Sequence, residues 1–212
     1  MSTIAIIDYG MGNLHSIAKA MEHVATGRVR ISSAPEVIMA ADRVVFPGVG
    51  GIGHTMQELA RTGLGDVARA AASSKPTLCI CVGMQALFER SAENGGTAGL
   101  GLVAGEVKRF IGRESGNDAP RLKVPHMGWN QVRQEPHPVW QGIPQDSRFY
   151  FVHSYYTVPA DTALVAGRST YGGEFCCALA RENLFAVQFH PEKSQREGLA
   201  LLGNFSRWDG QA

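Results

Sequence analysis

Three short stretches of this 212-residue chain carry side chains whose types and spacing could do covalent chemistry. The first runs Thr77-Leu78-Cys79-Ile80-Cys81-Val82-Gly83-Met84-Gln85, an apolar strand pattern that ends at Cys81 and turns at once into a helical one. A strand-elbow-helix turn of this kind holds a nucleophile on strained backbone above the sheet edge, and Gly83 is the small neighbour that lets it close. It also sets the thiol at a helix N-terminus, where unpaired amides and the dipole favour the thiolate. Read alone, Cys81 is as readily a buried structural thiol, and Cys79 reads as a small apolar filler. The second stretch, Phe185-Ala186-Val187-Gln188-Phe189-His190-Pro191-Glu192-Lys193-Ser194, is an alternating strand that breaks at His190. Residues i and i+2 of an extended segment project to the same side, and Pro191 disfavours helix at His190, so His190 and Glu192 can enter one site as a base and its orienter. A histidine at a strand end is by itself commonly just a satisfied polar residue. With the carboxylate and the elbow cysteine it completes a possible Cys81, His190 and Glu192 triad.

The third stretch, Phe46-Pro47-Gly48-Val49-Gly50-Gly51-Ile52-Gly53, is glycine-rich enough for its amides to approach a ligand and supply an oxyanion donor. Without the triad it would read as a tight turn between strand and helix. Gly10-Met11-Gly12-Asn13-Leu14-His15 is a poor dinucleotide fingerprint, because His15 stands where the third glycine is required and no acid ends the second strand.

The elements that must position these residues follow from the apolar rhythm. Ile4 to Asp8, Val29 to Ser32, Arg43 to Phe46 and Thr77 to Cys81 are short apolar runs. They alternate with helical patterns at Leu14 to Val24, Thr55 to Arg61, Asp66 to Ser73 and Met84 to Ala92, with a further helix started by a Ser33 to Glu36 capping box carrying Pro35 in its first turn. This is the signature of parallel strands joined by crossover helices. From about Val107 the chain turns β-rich, with strands expected at Val107 to Phe110, Trp129 to Val132, Phe149 to Val152, Ala163 to Gly167, Cys176 to Ala180 and Leu184 to Phe189. A helix at Gln195 to Trp208 follows, and Gly112 to Pro120 reads as a mobile surface loop. No repeat or linker interrupts the pattern, so one α/β domain over residues 1–212 is expected: a mostly parallel central sheet flanked by helices, with a β-rich C-terminal half.

Composition removes other classes. With 44% apolar and 18% charged residues, 25 Gly and 10 Pro, the chain is neither collagen-like nor low-complexity. No apolar run approaches the length of a membrane span. A net charge of +1 leaves no electrostatic footprint for nucleic acid or anionic lipid. The start, Met1-Ser2-Thr3, leads directly into a strand without a secretory signal pattern, so a cytoplasmic address is expected. The four cysteines, Cys79, Cys81, Cys176 and Cys177, are expected as free thiols in a chain too large to need a disulfide framework.

Taken together, Asp8-Tyr9-Gly10-Met11-Gly12-Asn13-Leu14, Pro47-Gly48-Val49-Gly50, Cys81-Val82-Gly83-Met84-Gln85, Pro125-His126-Met127-Gly128-Trp129-Asn130, His153-Ser154-Tyr155 and His190-Pro191-Glu192-Lys193-Ser194 carry a resemblance over nearly the whole chain. The sequence resembles the class I (triad) glutamine amidotransferases, and within them the glutaminase subunits of imidazole glycerol phosphate synthase in histidine biosynthesis. The resemblance implies that Cys81 attacks the carboxamide of glutamine, that His190 shuttles the proton onto departing ammonia and that Glu192 holds the imidazole. It implies oxyanion donors at Val82 and at Val49 and Gly50, substrate contacts from Gln85, Glu93, His153, Ser154 and Tyr155, and no cofactor or metal. It further implies a heterodimer with a (β/α)₈-barrel synthase (cyclase) subunit that takes up the ammonia, faced by Asn13, Trp129 and Lys193, and no nucleic-acid or membrane partner. Taken without the resemblance, Trp129 reads as a core aromatic, Asn13 as a helix cap and Lys193 as a solvated charge. In one respect the chain departs from the family pattern: the elbow usually has Gly where this chain has Cys79, whose side chain must fit under the turn beside a second thiol. Three rivals stay open: a cysteine peptidase or esterase of related architecture, a non-catalytic module that docks on a synthase, and the glutaminase of another biosynthetic complex.

Overall fold

The computed structural model describes residues 2–111 and 122–211, so the loop expected at Gly112 to Pro120 lies outside the described residues. The first half runs β1 (Thr3–Ile7), α1 (Leu14–Val24), β2 (Arg28–Ser32), α2 (Pro35–Ala40), β3 (Arg43–Gly48), α3 (Ile52–Thr62), α4 (Leu64–Ser74), β4 (Thr77–Cys81) and α5 (Val82–Ala86). Its four strands lie parallel in the order β2-β1-β3-β4. Strands covered on both faces read as unbroken apolar runs, as β4 does with all its residues buried, whereas edge strand β2 keeps Arg28 and Arg30 exposed.

The second half adds β5 (Phe88–Ser91), β6 (Thr97–Ala98), β7 (Val103–Arg109), β8 (His126–Gln131), β9 (Arg133–Gln134), β10 (Arg148–His153), β11 (Tyr155–Pro159), β12 (Val165–Thr170), β13 (Glu174–Arg181), β14 (Leu184–Val187) and α6 (Gln195–Arg207). β14 pairs parallel with β4, and the sheet continues as β14-β13-β11-β7-β5-β6, with the pairs from β14 to β7 antiparallel. β8 and β10 form a separate antiparallel pair that sets Trp129 opposite Tyr150. The fold is thus α/β around a mixed sheet whose first half is parallel.

Alternation along the strands divides the core into two clusters. Ile4, Ile6, Leu78 and Ile80 pack with Ile17 and Met21 of α1 and with Leu201, Leu202 and Phe205 of α6. Ala5, Ile7 and Cys79 pack with Leu59 of α3 and with Ala68 and Ala71 of α4. Period 2 on the strands and 3.6 on the helices therefore meet on both faces of the sheet. Among the described residues no helix is long and apolar enough to cross a membrane.

Local expectation and tertiary structure part company at several places. The helix expected over Met84 to Ala92 stops at Ala86, and Phe88–Ser91 is a strand between β7 and β6. Its helical spacing is overridden because that backbone finds ladder partners and fully buries Phe88. The Ser33 to Glu36 capping box does not form: Ala34 is the N-cap, and the Ser32 hydroxyl instead accepts from the Ala34 amide at 3.1 Å. The strand expected at Ala163 begins only at Val165, since Thr162–Leu164 is a 3₁₀ turn capped by Asp161, whose carboxylate accepts from the Ala163 amide at 2.9 Å. The helices expected from Thr55 and Asp66 open earlier, at Ile52 and Leu64.

Candidate active site

β4 and β14 are neighbours, so the two stretches singled out for their chemistry end side by side at one edge of the sheet. Cys81 follows Ile80 into α5 with φ 56° and ψ −110°, a strained conformation for a residue with a Cβ. The turn closes only because its neighbours are bare. A Cβ on Gly83 would stand 2.2 Å from the Phe46 carbonyl oxygen, and one on Gly48 would stand 2.7 Å from the Gly83 nitrogen. The Gly-rich segment after β3 is thereby held against the elbow, with Gly48 paired to Cys81. Tyr9 fixes its near end by donating its hydroxyl to the Pro47 carbonyl at 2.9 Å.

Cys79 fits under this turn. It is fully buried with the α3 and α4 cluster, while Cys81 borders the α1 and α6 cluster, and its register partners are Phe46 and the small Ala186. Burial pushes the Cys79 thiol far above its ordinary range, and all four cysteines are free and buried.

Opposite the elbow, the His190 amide donates to the Tyr150 carbonyl at 2.9 Å, and the Ser194 hydroxyl donates to the His190 carbonyl at 2.6 Å while accepting from the Tyr150 amide at 3.0 Å. These bonds fix the His190 backbone on β10. Its Nδ1 lies 2.9 Å from Glu192 Oε1, and the Glu192 side chain is wholly buried. The other side of the ring stands next to Cys81 on the wall of one cleft. Burial opposes a charge on the ring, yet the neighbouring Cys81 sulfur and the hydrogen-bonded Glu192 carboxylate hold His190 well above the ordinary imidazole range. The second carboxylate oxygen, Glu192 Oε2, is buried without a hydrogen-bond partner among the described residues.

Cys81 and His190 open into a cleft of about 440 Å³, the size of a small-molecule site. Val49, Gly50, Val82, Gln85, Glu93, His153, Ser154, Tyr155 and Lys193 also line it. Gln85 spends both amide hydrogens on protein, donating to the Tyr155 carbonyl at 3.2 Å and to Gln188 Oε1 at 2.9 Å. Glu93 Oε2 accepts from the Ile52 amide at 3.2 Å, joining the acid to the end of the glycine-rich loop.

His153 lines the cleft with no free ring nitrogen. The Tyr155 carbonyl, 2.7 Å away, can only accept, so Nδ1 of His153 carries the proton and its Nε2 accepts from His126 Nδ1 at 2.9 Å. Nε2 of His126 in turn accepts from Asn130 Nδ2 at 3.2 Å. Both rings are therefore neutral, and burial pushes His126 down to about 4 and His153 down to about 3. Because these values lie below the unfolded one of about 6.5, the unfolded chain binds the extra protons; the contribution to stability is full above pH ~6.5 and is lost as pH falls toward the folded values. Urea unfolding of the wild-type chain should show a midpoint that drops between about pH 6.5 and 4, and His126→Gln should flatten the slope by about one proton. Parallel profiles for the two proteins would refute this assignment.

Outside the cleft, Asn13 precedes α1 without a side-chain capping bond. Trp129 is no core residue: it is 43% exposed beside Met127 at 63%, and makes an edge contact with Tyr150. Exposed Lys193 carries its Nζ 6.0 Å from the same tyrosine ring. Gln188, absent from the sequence-derived candidates, is fully buried and donates from Nε2 to Cys81 Sγ at 3.6 Å. The i and i+2 argument that links His190 to Glu192 also reaches Gln188, since it precedes His190 by the same step.

An elbow thiol, a carboxylate-paired imidazole and a glycine-rich loop around one cleft can carry out acyl transfer from an amide. Known proteins agree with that class. Residues 5–207 match the family model described as glutamine amidotransferase class-I. Two solved structures share the fold: a glutamine amidotransferase, with TM-score 0.71, 15% identity and coverage of 97% of this chain and 99% of that one, and PurLQS from Thermotoga maritima, with TM-score 0.67, 16% identity and coverage of 96% and 97%. The chain belongs to the class-I glutamine amidotransferase family. Its relatives narrow this. It is 58% identical to the imidazole glycerol phosphate synthase subunit HisH of Aromatoleum aromaticum, over 98% of this chain and 99% of that protein. It is 56% identical to the same subunit of Pseudomonas savastanoi pv. phaseolicola over the full length of both. Within the family it therefore sits among the HisH subunits.

Proposed function

We propose that this chain hydrolyses glutamine to glutamate and ammonia with Cys81, His190 and Glu192 as a triad, and delivers the ammonia to a synthase for histidine biosynthesis. As a HisH-type glutamine amidotransferase it is the glutamine-using subunit of an imidazole glycerol phosphate synthase, and its nitrogen serves the rest of that complex. The observation that carries the triad reading is the His190 ring, bonded through Nδ1 to the buried Glu192 carboxylate and set beside the elbow sulfur at the wall of the cleft.

On this reading the Cys81 sulfur attacks Cδ of the glutamine side chain, forming the S–C bond while the carbonyl oxygen takes the negative charge. Amides of Val82 and of the Val49 and Gly50 segment receive that oxyanion, each donor contributing roughly 3 to 4 kcal/mol. The His190 imidazolium gives its proton to the carboxamide nitrogen, the C–N bond breaks and ammonia leaves. Water then gives a proton to His190 and attacks the γ-glutamyl thioester, and the S–C bond breaks to release glutamate and the sulfur. Glu192 keeps the ring in one tautomer and stabilises its charged form. Glu93 pairs with the α-ammonium group of glutamine, the free Oε1 of Gln85 accepts from the substrate, and Ser154 and Tyr155 complete the wall. His153 contributes ring surface alone, since its nitrogens are spent.

The reading extends to a cytoplasmic heterodimer in which residues 1–212 act as one amidotransferase unit on a (β/α)₈-barrel synthase subunit, with Asn13, Trp129 and Lys193 at the contact. The exposed Trp129 and Met127 support it, because an exposed Trp is a common interface anchor. Trp129→Ala should raise the dissociation constant of the complex about 30-fold, the loss of a hot spot of roughly 2 kcal/mol, as titration calorimetry would read. An unchanged constant would remove Trp129 from the interface.

The deciding measurement is glutamate release from glutamine by the purified chain, alone and with the barrel synthase subunit plus its ribonucleotide ligand. Release that rises strongly with the loaded partner is expected. No release from a confirmed complex would overturn the hydrolytic reading.

A further inference from the structure

Gln188 follows β14 and stays in its ladder, donating its backbone amide to the Cys177 carbonyl at 2.8 Å. Because Val187 is in register with Ile80, the next residue along each strand brings Gln188 beside Cys81. Its side-chain orientation is forced by a chain of obligate roles. The Tyr155 carbonyl can only accept, so it takes one hydrogen of Gln85 Nε2 at 3.2 Å. The other hydrogen of that nitrogen goes to Gln188 Oε1 at 2.9 Å, which leaves the Gln188 amino group directed at Cys81 Sγ at 3.6 Å. Turning the Gln188 amide over would set two donors against each other and an oxygen against the sulfur, all without water, since Gln188 is fully buried.

We infer that Gln188 is a positioning residue for the glutaminase reaction: its amide, locked by Gln85 and the Tyr155 carbonyl, gives the Cys81 sulfur a fixed hydrogen-bond donor on a side of the site separate from the His190 ring. This rests on the triad reading of the site and deepens it. A thiol sulfur is a weak acceptor and a thiolate a strong one, so a donor fixed here favours the charged sulfur. It acts twice, before attack on the carboxamide and again when the sulfur leaves the hydrolysed thioester. The same lock turns the free oxygen of Gln85 toward the cleft, so one buried amide sets both the nucleophile and a substrate contact.

The ionisable groups around the sulfur are His190, Glu192 behind it and Tyr9, with Glu93, His153, Tyr155 and Lys193 elsewhere on the cleft wall. Gln188 and Gln85 are uncharged, so neutral replacements alter hydrogen bonding without removing a charge. The test uses Gln188→Met, which keeps length and loses the donor, and Gln188→Asn, which keeps an amide and withdraws it. For each full-length chain in complex with the synthase partner, the rate of Cys81 alkylation by iodoacetamide is followed across pH by mass of the Cys81 peptide, beside kcat and KM for glutamine. Both variants should alkylate with a midpoint about one pH unit higher than wild type, roughly a tenfold loss of thiolate near neutrality, and kcat should fall about 10- to 100-fold. A wild-type alkylation midpoint in a folded variant would reduce Gln188 to a packing strut and overturn the inference, whatever happens to KM. If Gln188→Met does not fold, Gln188→Asn decides alone. If the wild-type complex releases no glutamate, the triad reading fails, while the alkylation profile still decides on Gln188.

Discussion

Cys81→Ala is expected to lower glutamine hydrolysis by on the order of 10⁴-fold or more while the chain still folds and binds its synthase partner. The substitution removes one atom. Ala meets the same φ of 56° at the elbow as Cys does, so the backbone strain is unchanged, and the site loses little packing because Sγ faces the cleft. What disappears is the atom on which His190 and Gln188 converge. The remaining oxyanion donors and substrate contacts cannot form a thioester, so only a slow direct attack by water is left. Glutamate release by the complex, measured under saturating glutamine, would show it. Turnover within tenfold of wild type would mean that Cys81 is a structural thiol after all, as its buried position on a strand end would allow.

The second large effect is expected from Glu192→Gln, a loss of about 10³- to 10⁴-fold in kcat with glutamine binding kept. This change preserves shape and removes charge, and the surroundings make it worse than a simple neutralisation. Glu192 Oε2 is buried without a hydrogen-bond partner among the described residues, a place where a carboxylate oxygen can remain but an amide NH₂ group finds no acceptor. If the new amide keeps its oxygen on His190 Nδ1, its two N–H groups are stranded in that spot. If it turns over, N–H faces Nδ1, the ring proton moves to the other nitrogen, and His190 can no longer take a proton from Cys81. Either arrangement also deprives the imidazolium of the negative charge that holds it. Loss of kcat with alkylation of Cys81 shifted to higher pH is the expected pattern, and a loss below tenfold would make Glu192 a structural carboxylate.

The residues nearest the chemistry are legible in the sequence because their reasons are local. A strand that turns into a helix at Cys81 needs Gly83, and a histidine followed by Pro191 and Glu192 can point two side chains one way, whatever the rest of the chain does. The elements that local patterns misassign depend on distant partners. Phe88 to Ser91 has helical spacing yet is a strand, because β7 and β6 offer it a ladder. Gln188 escapes a reading of the sequence since its importance emerges only once β14 is known to lie against β4. His153 reads from sequence as a substrate ligand, but its nitrogens are committed to Tyr155 and to His126. Cys79 reads as a small apolar filler that must fit under the elbow, and the alternation of the strand sends it into the opposite core.

The adjacency of β4 and β14 also has a bearing on how the protein is made. Cys81 and Gln188, which touch, are 107 residues apart in the chain, and β14 must insert between β4 and β13 to bring them together. During synthesis the nucleophile therefore leaves the ribosome long before its base, and a nascent or truncated chain that ends before β14 carries an elbow with no partner for its sulfur. Chemical competence is then acquired late in synthesis, once β14 has carried Gln188, His190 and Glu192 to the waiting elbow.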